Sequence, residues 1–332
     1  MKARLVDVAK EAGVSPKTVS NYVNGYPFMS KATTEKVRVA IEKLDYVPNR
    51  MARNLRTGRT GIIALAVPEL NVPYFAELAG HVTTAAEKLG VTVLIDQTDG
   101  DPGRERRVAA GLGPQAIDGL IMSPQGLDGN ELAGLAAIPM VLLGERLHPA
   151  GVPYVGVDNV AAATAATNHL IDSGYRRIAA IGRVSQQQNG TGSLRLQGYQ
   201  EALAAAGLKP ARGYTRTVAA YERAEGAREM DALLDLKNPP DAVFCFNDLL
   251  AVGALSTLHR RGVTVPDEVA VMGWDDISEV RYTWPPITSV SVDKAQLAEV
   301  AVDHLLALLA GAEIEDPQQF VDFAVEVRAS TG

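Results

Sequence analysis

Apolar positions in the first two dozen residues follow a helical period. Leu5, Val8, Ala9 and Ala12 fall on one face, and Gly13 supplies the backbone freedom of a sharp turn. Ser15 before Pro16 then reads as an N-cap with a first-turn proline, restarting a helix over residues 16–23. Val19 with Tyr22 or Val23 would pack that second helix on the first, leaving Lys17, Thr18, Ser20 and Asn21 as polar groups facing outward. Two short helices about a three-residue turn fit an ordinary helical hairpin, and equally a unit that lays its second helix in the major groove of DNA. Beyond Arg59 the texture changes to continuous apolar runs separated by amphipathic helices. The runs are GIIALAVP (61–68), VTVLIDQT (91–98), IDGLIMSP (117–124), PMVLLGE (139–145), YVGVDN (154–159), RIAAIGR (177–183), TRTVAA (215–220), DAVFCFND (241–248) and VAVMGWDD (269–276). Such runs predict parallel strands covered on both faces, an α/β class. About nine of them exceed one compact open sheet, so two lobes are expected, with the carboxyl ends of their strands facing a shared cleft.

Charge separates the two textures. Residues 1–60 carry 12 Lys/Arg against 5 Asp/Glu, and the rest of the chain carries 20 against 34. A basic head on an acidic body fits a polyanion-binding module joined to something that must not bind polyanions, and it favours the DNA reading of the helix pair. At 332 residues and 47% hydrophobic content the chain can build two or three cores. A charged, capped helix near Met1 and the lack of an unbroken apolar run of about 18 residues imply a cytoplasmic protein with no membrane partner. The single cysteine, Cys245, sits in an apolar run, excludes an intrachain disulfide and reads as a buried strand residue in a reducing compartment. There is no phosphate loop, no dinucleotide fingerprint and no HExxH, and the five histidines are scattered singly. An enzyme is therefore disfavoured, and neither a cofactor nor a metal is expected. A secreted sugar-binding protein, the other rival class, is disfavoured by the basic head.

The motifs taken together resemble the LacI/GalR family of bacterial transcription regulators from about residue 4 to the C-terminus. AGVSPKTVSNYVN matches that family's helix-turn-helix, SKATTEKVRVAIEKLDYVPN its third helix and RMARNLRTGRT its hinge. VPYFAEL, HLIDSGYRRIAAIG, SLRLQGYQEAL, FNDLLAVGAL and RRGVTVPDEVAVMGWDD match its core. The resemblance implies a DNA-binding domain at 1–48, a hinge helix and linker at 49–59, and a core like that of periplasmic binding proteins. The core's first lobe would comprise 60–160 and 290–320, its second lobe 161–289 and 321–332. It implies a DNA contact set of Leu5, Ser15, Pro16, Lys17, Thr18, Ser20, Asn21, Asn24, Ser30 and Thr33, with Asn49, Ala52, Leu55 and Arg56 from the hinge. Segment 49–57 is shorter than the roughly 12–15 residues an isolated helix needs in water, so alone it is expected to fray; the resemblance implies that two copies fold together in the minor groove, with Leu55 wedged between bases.

In the core the resemblance implies an effector cleft lined by Tyr74, Phe75, Glu145, Thr191, Arg195, Tyr221, Asn247 and Asp275. Aromatic faces stack on rings, and guanidinium, amide and carboxylate together suit vicinal hydroxyls, so a monosaccharide or small glycoside is expected, with a purine as the alternative. Arg195 and Asp275 could instead form a structural ion pair, and Trp274 reads as core. Three departures qualify the match: Asn21 stands where many relatives carry arginine, Val72 replaces a common asparagine, and Gly144–Arg146 differs from the usual aspartate-arginine pair. With no leucine heptads before Gly332, a homodimer on a near-palindromic double-stranded operator is the expected assembly.

Overall fold

The computed structural model describes residues 3–23, 26–46, 59–113, 116–127, 129–135, 137–144, 151–184 and 190–332. They form two compact units, residues 1–60 and 61–332.

In the first unit each described helix begins at a cap written in the sequence. The Arg4 N–H donates to the Asp7 carboxylate at 2.8 Å, which starts α1 (Leu5–Ala12) and holds the Asp7 pKa below the usual carboxylate range. Gly13, at φ +64°, ends it in a left-handed conformation that a side chain would oppose. Ser15 Oγ accepts the Thr18 N–H at 3.1 Å and opens α2 (Pro16–Val23); Ser30 Oγ accepts the Thr33 N–H at 3.2 Å and opens α3 (Lys31–Lys43). The three helices enclose Val8, Ala9, Ala12, Val19, Val37, Ala40 and Tyr46, with both Tyr22 and Val23 packed at the margin.

The second unit contains two parallel sheets. Its elements in order are β1 (Ile62–Val67), α4 (Pro73–Lys88), β2 (Thr92–Gln97), α5 (Pro102–Ala109), β3 (Gly119–Met122), α6 (Gly129–Leu135), β4 (Met140–Leu143) and β5 (Tyr154–Gly156). Then follow α7 (Asn159–Asp172), β6 (Ile178–Val184), α8 (Thr191–Ala205), β7 (Thr215–Val218), α9 (Arg223–Leu234), β8 (Ala242–Cys245), α10 (Asp248–Arg260) and β9 (Ala270–Trp274). The last are β10 (Thr288–Val292), α11 (Lys294–Leu309), β11 (Gln318–Phe320) and β12 (Phe323–Glu326). The first sheet runs β11-β5-β4-β3-β1-β2 and the second β12-β10-β9-β8-β6-β7. Among the described strands only β12 is antiparallel, pairing with β10 through Ser289–Glu326 and Val292–Phe323. Strands β3, β4, β8 and β9 are buried at every position, as continuous apolar runs require of a sheet covered on both faces.

The chain passes between the sheets three times, after β5, after β10 and after β11. Residues 290–292, which the sequence reading places in the first lobe, belong to β10 of the second sheet, because Thr288–Val290 pair with Met272–Trp274 of β9. The passage into the first lobe comes at Asp293, the N-cap of α11. Likewise the run expected at 154–159 ends as a strand at Gly156, because Asp158 accepts the Ala161 N–H at 2.9 Å and begins α7.

Helices α9 and α10 touch through glycine. A methyl group on Gly253 would collide with the Arg223 carbonyl, and one on Gly226 with the Leu250 carbonyl. Gly253→Ala is expected to destabilise the core by ~1–3 kcal/mol through overpacking, despite alanine's better helix propensity. A midpoint in chemical denaturation equal to that of the parent chain would contradict this contact.

Candidate DNA-binding face and effector cleft

On the first unit the candidate contact residues separate into a frame and a face. Ser15 and Ser30 act as caps, and their hydroxyls also meet Thr18 and Thr33, at 2.9 and 2.8 Å. These four therefore fix the starts of α2 and α3. Leu5 is half-buried against the head core. Pro16 and Lys17 are exposed in the first turn of α2, with Ser20 and Asn21 half-buried along the same helix. An exposed ammonium and a half-buried amide are groups able to meet phosphates and base edges, and they sit on a helix whose opposite side is held by Val19. Asn24, Asn49, Ala52, Leu55 and Arg56 lie outside the described residues.

In the second unit the candidate ligand residues all follow the carboxyl ends of strands. Tyr74 and Phe75 open α4 after β1, Thr191 and Arg195 lie on α8 after β6, and Tyr221, Asn247 and Asp275 follow β7, β8 and β9. In each sheet the strand order reverses beside the strand that comes first in the sequence, between β1 and β3 and between β6 and β8, which is where open α/β sheets bind ligands. Tyr74, from the first lobe, packs against the second lobe's apolar cluster, as does Tyr221. Tyr74 and Phe75 meet edge to face with ring centroids 5.2 Å apart. Glu145 lies outside the described residues.

The polar members are anchored rather than loose. Arg195 is 4% exposed; its guanidinium lies over the Trp274 ring at 3.9 Å from the centroid, Nε donates to Asn159 Oδ1 at 2.9 Å, and Nη1 donates to the Phe246 carbonyl. Trp274 is therefore both the core residue expected of it and the platform under Arg195. Asn247 Oδ1 caps α10 by accepting the Leu250 N–H at 2.9 Å, while its Nδ2 donates to the Tyr221 carbonyl at 3.4 Å. Asp275 is half-buried at φ +104°, with its N–H donating to the Val290 carbonyl at 2.9 Å. Its neighbour Asp276 is buried and paired with Arg281 and Arg328 at 2.8 and 2.6 Å, a structural role.

Sequence reasoning missed Asn159 and Asp248. Asn159 holds Arg195 and is itself tied to the Val157 carbonyl at 3.0 Å; its only signal was its place beside the helix cap Asp158. Asp248 is 1% exposed and supports the turn carrying Asp275: its carboxylate accepts the Ser289 hydroxyl at 2.7 Å and the Ile277 N–H at 2.9 Å. Burial raises its pKa well above the ordinary value, and the charge of Asp275 adds to that. Among the described residues no group of three or more histidine, cysteine or acidic side chains could hold a metal.

The pattern described as "Bacterial regulatory proteins, lacI family" matches residues 4–49, and that described as "Periplasmic binding protein-like domain" matches 167–331. The transcriptional regulator CelR of Thermobifida fusca is 36% identical, the match covering 97% of this chain and 96% of CelR. The chain belongs to the LacI family. Among solved structures, a CelR-cellobiose complex is 33% identical with a TM-score of 0.72, covering 99% of each chain. The lac repressor dimer bound to operator and an anti-inducer is 25% identical with a TM-score of 0.83, covering 100% of this chain and 99% of that one. The protein is a DNA-binding transcriptional regulator of LacI type with an effector-binding core, and not an enzyme. No helix among the described residues is long and apolar enough to cross a membrane.

Because the folded pKa of Asp248 is raised, its unfolded form ionises first as pH rises. Its favourable contribution is thus complete below about pH 4 and is lost as pH climbs through the folded value. Asp248→Asn removes one acceptor and is expected to lower stability by ~1 kcal/mol in mild acid while flattening the decline toward neutral pH. Melting temperatures of both proteins across pH 4–8 that run parallel would refute this.

Proposed function

We propose that this LacI-family regulator is a cytoplasmic repressor that acts as a homodimer on a near-palindromic operator of about 16–20 base pairs. A neutral monosaccharide or small glycoside in the cleft releases it. The observation carrying the effector reading is the cleft's composition. Two aromatic rings, an amide, a carboxylate and one guanidinium follow the strand ends. The guanidinium is already committed to Trp274, Asn159 and Phe246, so the candidate ligand residues among those described offer no cluster of cations to prefer a phosphorylated ligand. Thr191 and Tyr221 stand at the same edge, and Glu145 is proposed to join them. The likeness to a cellobiose-bound regulator supports the sugar class and makes cellobiose the first compound to try.

For the DNA side, Leu5, Ser15, Pro16, Lys17, Thr18, Ser20, Asn21, Asn24, Ser30 and Thr33 are proposed to position the head and read the half-site. Asn49, Ala52, Leu55 and Arg56 are proposed to engage the minor groove between half-sites. Association as two copies is supported by apolar groups left at the surface: Tyr282 and Trp284 are 87% and 82% exposed on the second lobe, and Leu94 and Ile95 are exposed on edge strand β2 of the first.

Two measurements test the reading. Sites selected from random DNA should show dyad symmetry. Lys17→Ala should weaken binding and relax preference at particular bases, whereas Arg56→Ala should weaken all sequences alike. Sites without a dyad would overturn the operator model. Calorimetry with cellobiose should give saturable binding, and Asp275→Ala should reduce it by about 5- to 150-fold, the equivalent of ~1–3 kcal/mol for an unmatched buried polar group. Full affinity in that variant would remove Asp275 from the site. Binding of a purine base in place of any sugar would replace the effector class.

A further inference from the structure

The turn that carries Asp275 is held from the first lobe by an ion pair outside the proposed ligand set. Lys294 is the first residue of α11, one position after the chain crosses from β10 into the first lobe, and it is 9% exposed. Its Nζ lies 2.8 Å from Glu77 Oε2 and donates to the Asp275 carbonyl at 2.6 Å; the same ammonium is 5.8 Å from the centre of the Tyr74 ring. Glu77 sits on α4, one helical turn beyond Tyr74, and its Oε1 accepts the Ser278 N–H at 3.0 Å. One lysine and one glutamate of the first lobe thus grip both ends of the segment Asp275–Ser278 in the second, and each is in contact with, or one turn from, a proposed effector residue.

A buried ammonium held by Glu77, the Asp275 carbonyl and, at 3.5 Å, the Asp276 carbonyl is expensive to leave unmatched, so rotating the lobes must either carry this grip intact or exchange its partners together. Asp275 has a left-handed backbone, a carbonyl held by Lys294 and a side chain at the cleft, so a ligand that draws on the side chain also moves the carbonyl. We infer that Lys294 and Glu77 form the latch that ties the effector cleft to the arrangement of the two lobes, as positioning residues rather than ligand contacts. The inference rests on the cleft being the effector site, but its geometry exists without a ligand, and its test can be run without one.

The test uses the full chain with spin labels on cysteines introduced at Glu87 and Lys237, exposed positions on the first and second lobes, with labelled chains diluted into unlabelled ones. Cys245 is fully buried and its thiol pKa is pushed up by burial, so it does not compete for label. Without effector, the parent chain should give one narrow interlobe distance distribution. Lys294→Met and Glu77→Gln should each broaden or shift it, and the double variant should change it no further than one of them does. Hydrogen exchange supplies the second readout: Lys294→Met should speed exchange at the Ser278 amide by about tenfold, although Lys294 makes no bond to that amide, because the latch acts as a unit. Unchanged distances and unchanged Ser278 exchange in both single variants would overturn the latch. Should Lys294→Met fail to fold, Glu77→Gln read by the same two measurements decides alone. Failure of the parent chain to bind cellobiose or any other sugar would defeat the effector reading and leave these ligand-free results to judge the latch by themselves.

Discussion

Three passages of one chain between two parallel sheets set the terms for everything in the core. A parallel sheet covered on both faces has no room for ligands on its surface, so binding chemistry can lie only at the strand ends. Because each lobe is built from non-contiguous segments, the strand ends at these three passages are followed within a few residues by elements of the other lobe: β10 ends at Val292 and Lys294 already begins a first-lobe helix. The polar groups near these passages are consequently shared between lobes. Glu77 accepting the Ser278 N–H is one such contact, and Tyr74 packing on the second lobe's apolar cluster is another.

Polar groups buried at the cleft must also be satisfied, and the second lobe does so from within. Arg195 stacks on an indole and meets an amide and a carbonyl, and Asn247 serves as a helix cap. Asp248 accepts from Ser289 and Ile277 yet stays costly enough to ionise that its pKa rises. Each is fixed by a structural bond before any ligand arrives. Prepositioning of this kind reduces the ordering cost of binding, and in the proposed effector site it makes Asn159 and Asp248 matter through the groups they hold, Arg195 and the turn carrying Asp275.

Much of this was legible in the sequence where local rules act alone. Helices α1 and α2 occupy the residues read for them because Gly13 and the Ser15–Pro16 pair mark their ends whatever the tertiary context. Strands β1, β3, β4, β8 and β9 were legible because they are apolar throughout. Strands β10, β11 and β12 were not, because TSVSV alternates and the other two span three and four residues with exposed positions, which resembles loop. Within the cleft the resemblance supplied residues that follow strand ends. The partners of those residues, Asn159 for Arg195 and Lys294 with Glu77 for the Asp275 turn, are distant in sequence or ordinary in type, and only the fold brings them together.

The head illustrates the same dependence on packing at smaller scale. Helices α1 and α2 have eight residues each, below the length at which a helix persists in water, so their order derives from the small cluster around Val8, Val19 and Val37 and from the serine caps. Ion pairs add little there, since Arg38 with Glu35 and Glu42, and Lys43 with Glu11, are exposed and screened by salt. The excess of cations in this unit therefore adds little to its stability and suits another task, which for a DNA-binding unit is the attraction of phosphates. The remaining chain has the opposite sign, with 34 acidic against 20 basic residues, so its net charge opposes association with a polyanion while that of the head favours it.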